Sequence, residues 1–494
     1  YLYCMLVIAN NLTRGPRSAF IGNSRSNSTH LMVHKNMPYR HITLPTKLKI
    51  EDLQRAAQDY EAIAVEMMRA IVQRYQRTPD YPFIDTKLDL ITGRDFDDGD
   101  SIRGKEAIYG WIQGRGLESL AGHARFFAQR SAGADLVPAL EVMLREILAQ
   151  LRKMRQRNGG HLSFFMHPNG QPFRLDTDGH PESFALTTKD PFGFSDLFAA
   201  KGMFAAADYL GDDDARAESL AYIDAVEQAI WGQCFHSDQV SLDPKNHPEP
   251  KSGYYAHGHY MIHIGTVAIM ASAGIESAIE RGLRLIEHEL KTYVNLDGRI
   301  ADLEEGDFWE GVDADGMPYR ESSGVLLSDP GHSLEFVGLA LKFIAACQQN
   351  GLATSEQIRR LQAVREHMPT ILERNFKNGY IPEPRGISKA FDLASRTHLN
   401  TNMPWWNLPE TIRAAALCLL SVEDAAQKAL CLRILRDCHN AFREFTRPDL
   451  HLMAYQTRNI SGQPVDAIPA TADADPGYHT GLSLIDAIAV VESL

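Results

Sequence analysis

His332 and Glu335 stand three residues apart in the stretch SDPGHSLEFVGLAL, Ser328 to Leu341, which continues as an apolar helix through Leu334, Val337, Leu339, Ala340 and Leu341. That spacing puts both side chains on one helix face. A carboxylate among apolar neighbours costs free energy unless it is paired or used. An imidazole titrates near neutrality and can take and return protons. The stretch therefore offers an acid–base pair at a helix start, behind an Asp-Pro-Gly turn in which Asp329 can cap the helix. Similar polar, aromatic, glycine-containing stretches recur along the chain: IYGWIQGRG, TTKDPFGFSD, SGYYAHGHYMIH, NTNMPWWNLPE and DADPGYHTG. Collected from them, Arg115, His263, His332, Glu335, Glu410 and His479, with Trp405 and Trp406 beside them, form a set suited to moving protons on a polyhydroxylated ligand. Aromatic rings stack on the apolar faces of sugars, and Arg and Glu bind hydroxyl and carbonyl oxygens.

Those residues need a scaffold that brings distant stretches together. From Ile50 onward the hydrophobic period is helical, and it predicts twelve helices near 50–77, 117–132, 134–156, 194–210, 213–233, 260–273, 275–292, 333–349, 355–373, 407–421, 423–445 and 480–493. Short strands are expected only at His161–Met166, Phe173–Asp176 and Arg299–Leu303. Charged amphipathic helices such as ARAESLAYIDAVEQAI alternate with apolar, small-residue helices such as TIRAAALCLLS. The apolar ones begin 65–80 residues apart, a repeat of architecture rather than of sequence. Six outer–inner pairs, with short links on one side and long links on the other, predict an all-α (α/α)6 barrel with small β-hairpins in the long loops. All six long links would then meet at one mouth, where helix N-termini aim free N–H groups and a positive dipole end.

Three of these stretches, GHSLE after Asp-Pro, WWNLPE and YHTG, resemble signatures of the N-acylglucosamine 2-epimerase superfamily. WIQGRGL resembles a fourth, carrying Gln113 and Arg115, and YMIHIG resembles a segment of the family's third inner helix, carrying His263. The resemblance runs over roughly residues 105–494. It implies an (α/α)6 barrel and chemistry at C2 of an opened sugar. One histidine removes the C2 proton to give an enediolate, and another returns a proton to C2 or C1. By position His332 and His479 match the catalytic histidines, Arg115 the group facing the enediolate oxygen, and Glu335 and Glu410 orienting or ligand groups. Gln113, Trp405, Trp406, His263 and Tyr478 match substrate-binding positions. The chain departs from the pattern where Leu482 replaces the arginine of YHxxR and where Glu118 replaces an aromatic in GRGLESL.

Bulk properties narrow the field. The 494 residues are 44% hydrophobic and 23% charged, with a net charge of −13. Such an acidic average field, without a Lys/Arg run, argues against a nucleic-acid partner. Neither GxxxxGK[ST] nor GxGxxG after a strand is present, so no nucleotide cofactor is expected. The histidines of HGHYMIH lack the spacing of a zinc motif, and DFDDGD places its glycine one position early for a calcium loop, so no metal is expected either. The six cysteines are scattered without a CxxC pair, which suits a reducing compartment. The opening run YLYCMLVIA is too short to span a bilayer. Residues 1–42 are expected to be a poorly ordered or wrongly included extension ahead of a single barrel domain over 43–494. A cytoplasmic protein acting on a mono- or oligosaccharide follows, with secretion left open, no membrane partner, and a homodimer as the usual state of such barrels. Two rivals share the barrel: a glycoside hydrolase or polysaccharide lyase working through Glu335 and Glu410, and a non-catalytic sugar-binding protein.

Overall fold

The computed structural model describes residues 39–240, 242, 251–467 and 471–494. Among them are twelve α-helices: α1 (Ile50–Arg77), α2 (Gly110–Phe127), α3 (Val137–Arg157), α4 (Phe194–Leu210), α5 (Asp213–Trp231), α6 (Gly258–Ser272), α7 (Ser277–Tyr293), α8 (Pro330–Asn350), α9 (Ser355–Gly379), α10 (Asn407–Ser421), α11 (Ala425–Phe442) and α12 (Ser483–Ser493). Even-numbered helices form the inner ring. The sequence explains the division. Helix α4, FSDLFAAKGMFAAADYL, is buried from Phe194 to Ala207, whereas α7, SAIERGLRLIEHELKTY, buries one stripe that includes Ile279, Leu283, Ile286 and Leu290. The ring closes where α12 packs on α10 and α1, and where the turn Tyr478–Leu482 packs on α2. This is the expected (α/α)6 arrangement.

Inner helices approach closely where they must. A Cβ on Gly202 of α4 would lie 2.1 Å from the carbonyl oxygen of Gly114 on α2, so the two backbones touch at these glycines. Helix starts are fixed by caps. The Asp329 side chain accepts from the Gly331 N–H at 3.0 Å, with Pro330 at the first helical position. Thr354 and Gln357 form a reciprocal capping box on α9.

The long links do more than form local hairpins. Each pairs with the next around the mouth through a two-residue ladder: 108–109 with 165–166, 192–193 with 235–236, 255–256 with 311–312, 327–328 with 391–392, and 403–404 with 457–458. The circuit closes by the Ala474 N–H bonding Thr86 O at 2.9 Å. Every inner-helix entrance is thereby tied to its neighbours.

Three expectations are corrected. Helix α2 starts at Gly110 rather than near 117, because Gly110, Gly114 and Gly116 are contact glycines inside the helix, not loop residues. Helix α12 starts at Ser483, after the separate turn 478–482. Arg299–Leu303 forms turns, not a strand. The Asn295 side chain organises it, bonding the backbone of Ile300 and Leu303.

The extension expected over 1–42 lies outside the described residues as far as 38. The Arg40 and Ile42 N–H groups donate to Asp59 on α1. Cys347, Cys418, Cys431 and Cys438 are free, buried thiols on inner and outer helices. No described helix is long and apolar enough to cross a membrane.

Candidate active site

At the mouth, the inner helices and their links enclose a cavity of about 770 Å³ including its opening to solvent. Helix α2 presents Trp111, Ile112 and Arg115 to it; α4 presents Phe194 and Phe198; α6 presents Gly258, Met261 and Ile262. The rest of the lining is more polar: His332 and Glu335 from α8, Trp405 and Trp406 just before α10, and Asp473, Asp475 and His479 from the last link.

The two histidines are held alike. His332 Nδ1 lies 3.0 Å from Glu310 Oε2, and His479 Nδ1 lies 2.9 Å from Glu410 Oε1. A carboxylate accepting at Nδ1 fixes the ring so that Nε2 is the nitrogen left for a ligand. The Trp406 ring contacts both imidazoles, with its centroid 5.4 Å from each, stacked on His332 and tilted against His479. Backbone N–H groups of Tyr478 and Thr480 donate to Asp475 at 2.9 Å, which holds the turn carrying His479.

Charge is distributed unevenly. Glu410 is ion-paired to Arg413 as well as to His479. Burial raises the Glu410 carboxyl, but Arg413 and His479 outweigh it and hold it below the usual range. Burial, with Glu410 as a like-charged neighbour, pushes the Glu335 carboxyl up. Two neighbouring carboxyls are thus driven apart, the pattern that separates a proton carrier from a fixed anion. Glu335 forms no hydrogen bond among the described residues and lines the cavity.

Arg115 is the cation of the apolar wall. Its guanidinium carbon lies 4.2 Å from the Phe198 ring centroid and 5.4 Å from those of Trp111 and Tyr478. Among the described residues it has no ion-pair partner, and its Nε is buried without a hydrogen bond. Glu118, the acidic residue in GRGLESL, does not compensate it by contact. Glu118 is paired at 2.8 Å with Lys201 of α4, which also donates to the Tyr478 hydroxyl at 3.0 Å.

Two buried His–carboxylate groups, His257/Glu310/His332 and Glu335/Glu410/His479, have donor atoms within 4.8 Å of one another. In the first, Glu310 bonds both histidines; in the second, Glu410 is engaged by His479 and Arg413.

No family profile matches the sequence, and no curated protein does. Solved structures match over most of the chain. A cellobiose 2-epimerase from Spirochaeta thermophila superposes with a TM-score of 0.61 at 12% identity, covering 91% of this chain and 99% of that one. A sugar epimerase from a ruminal bacterium gives 0.57 at 11% identity, covering 90% and 99%. A D-mannose isomerase gives 0.52 at 14%, covering 86% and 97%. The fold is that of the sugar epimerases and isomerases.

On this epimerase fold, the structure brings together His332, Glu335, Arg115, Trp405, Trp406 and His479 around the cavity. Glu410 stands directly behind His479, and Tyr478 lies beside Arg115. Two expected ligand residues are elsewhere. Gln113 spends both ends of its amide on the backbone of Ile84, pinning the first link to α2. His263 faces outward to Glu227 of α5 at 3.1 Å. Neither lines the cavity. Leu482, in place of the family arginine, packs on α2, where a Cβ on Gly122 would lie 2.4 Å from its Cδ2. Sequence reasoning missed Glu310, Asp475, Arg413 and Lys201. The only local sign of Glu310 was an acidic residue inside the apolar FWEGV.

Proposed function

We propose that this protein is a carbohydrate 2-epimerase or aldose–ketose isomerase working by proton transfer through an enediolate. The observation that carries the reading is the pair His332 and His479, each with Nδ1 on its own buried carboxylate and each in ring contact with Trp406. One Nε2 removes the proton from C2 of the opened sugar, and the electron pair moves toward the C1 oxygen. The other imidazolium returns a proton to the opposite face of C2, inverting it, or a proton reaches C1, giving the ketose. The steps balance with protons alone. Arg115, unpaired beside the cavity, supplies a fixed cation where negative charge develops on oxygen. Trp405 and Trp406 offer rings for the sugar's apolar face. That the fold is shared with a cellobiose 2-epimerase and a D-mannose isomerase supports this chemistry on a mono- or oligosaccharide.

A hydrolase reading draws on the split carboxyls Glu335 and Glu410, whose oxygens lie within 4.8 Å. It is the weaker one, because Glu410 is already engaged by Arg413 and His479.

The test is proton NMR in D2O with mannose, glucose, N-acetylglucosamine, N-acetylmannosamine, cellobiose, mannobiose and uronic acids. Solvent deuterium is expected at C2 or C1 of one of them, and its loss is expected in His332→Asn and His479→Asn. Cleavage of an oligosaccharide without exchange would overturn the proposal in favour of the carboxylates. Binding that survives both substitutions, with no turnover in the parent, would favour a sugar-binding protein.

A further inference from the structure

Behind His332 the structure continues through a line of alternating buried carboxyl and imidazole groups. Glu310 bonds His332 Nδ1 through Oε2 and lies 3.3 Å from His257 Nε2 through Oε1. The other nitrogen of His257, Nδ1, lies 3.6 Å from Glu289 on α7. All four side chains are buried, and His257 and Glu289 are wholly shut off from solvent. The line joins α7, the residue before α6, the fourth long link and α8. None of it but His332 reaches the cavity.

A carboxylate beside a proton-transfer histidine has two effects. It fixes the ring, and its charge favours the imidazolium. Too strong a second effect would leave the histidine protonated and useless as a base. We propose that His257 is a positioning residue that offsets the charge of Glu310, so that Glu310 orients His332 without locking it in the protonated form. The proposal rests on the reading of His332 as a proton-transfer group.

The surroundings agree. Burial alone would push the His257 imidazole down, but Glu310 and Glu289 outweigh it and raise it to about 10, so His257 is a cation at neutral pH. Burial raises Glu310, yet His332 and His257 pull it well below the usual carboxylate range. Burial pushes the Glu289 carboxyl up while His257 works against it, and neither Glu289 oxygen has a hydrogen bond among the described residues. Asp329 lies 3.4 Å from His332 Nδ1 and is paired with the buried Lys389. Tyr293 of α7 and Phe308 pack on the His257 ring. His259, on the same turn, is pushed down to about 3 by burial and by His257, and so is neutral. The rings of His257 and His332 lie 5.8 Å apart. One unit charge at that range, in a partly polarisable interior, is worth about one to two pH units in a titration.

The test compares the parent with His257→Gln, and with the double variant His257→Gln/Glu289→Gln, which avoids a lone buried carboxylate. Nitrogen-15 NMR of histidine-labelled, sugar-free protein at pH 7 reads the His332 ring. The expected result is a shift of that ring toward imidazolium in either variant, with the Trp406-stacked position retained. Where a sugar is turned over, the acid limb of kcat/KM should move up by at least one pH unit, with KM changed less than threefold. An unchanged His332 ring, with only lower stability or a uniform loss of rate, would overturn the proposal. The ring readout needs no turnover. A His332 that responds in a protein exchanging no sugar would sink the epimerase reading and leave the charge offset standing.

Discussion

His479 Nδ1 lies 2.9 Å from Glu410, and the other oxygen of that carboxylate is held by Arg413, one helical turn further along α10. On the proposed proton transfer Glu410 would serve catalysis as well as folding, and the two roles separate by substitution. Glu410→Gln should cut solvent exchange by about 10²- to 10⁴-fold, the range of positioned acid–base groups. It should also cost about 3 kcal/mol of stability, because Arg413 is left buried without its main counter-charge. The double variant Glu410→Gln/Arg413→Met should recover stability and not activity. Thermal unfolding and deuterium exchange measured side by side check this. Recovery of both would mean that Glu410 acts only through Arg413.

Arg115 has the opposite signature. It has no ion-pair partner among the described residues, and burial works against its charge. Arg115→Met should therefore fold as well as the parent or better. If the guanidinium meets a developing oxyanion, turnover should fall by about 10²- to 10³-fold. Loss of stability comparable to the loss of rate would mark Arg115 as structural.

The sequence made the barrel legible because its cause is periodic: charged and apolar helices alternate, and long links precede the apolar ones. The polar residues at those entrances were legible for the same reason. What failed was the choice of face. Arg115 lies three and four residues after Ile112 and Trp111, and all three line the cavity; Gln113, two residues before Arg115, points about 200° away. Met261 and Ile262 stand three and four residues after Gly258 and share its face, and His263 falls outside it. Applying the helical period within each motif would have set both residues apart from the cavity face. Glu310 was not legible by such means. It comes from a link, 22 residues before His332, and only the ring of paired links carries it there.

Gln113 and His263, which lie off the cavity, give a prediction of their own. Gln113→Leu leaves the N–H and C=O of Ile84 without their partners and should cost about 2 kcal/mol. His263→Phe removes one of two partners of Glu227, which keeps Arg281, and should cost about 1 kcal/mol. Neither should change KM for any turned-over sugar by more than about twofold. A large KM effect with unchanged stability in either variant would restore that residue as a ligand.

The last prediction concerns acid. His123 on α2 and His439 on α11 are buried, and burial pushes each imidazole down to about 4 from an ordinary 6.5. His439 bonds the Tyr60 hydroxyl and the Ile42 carbonyl, and His123 bonds the Ser119 carbonyl. Between pH 6.5 and 4 the unfolded chain binds protons at these two sites that the native chain does not. Stability should therefore fall as pH drops through that window, and level off below it for these groups. At pH 5 each accounts for roughly 2 kcal/mol relative to pH 7. His257 works in a separate range, since its raised value gives stability that is complete below 6.5 and lost as pH rises through about 10. Urea unfolding at pH 7 and pH 5 checks the acid arm: the midpoint should drop, and His439→Gln should shrink the drop by about a quarter, because burial also holds His259 and His288 down. Equal midpoints in the parent at the two pH values would show that neither histidine is held neutral by the fold.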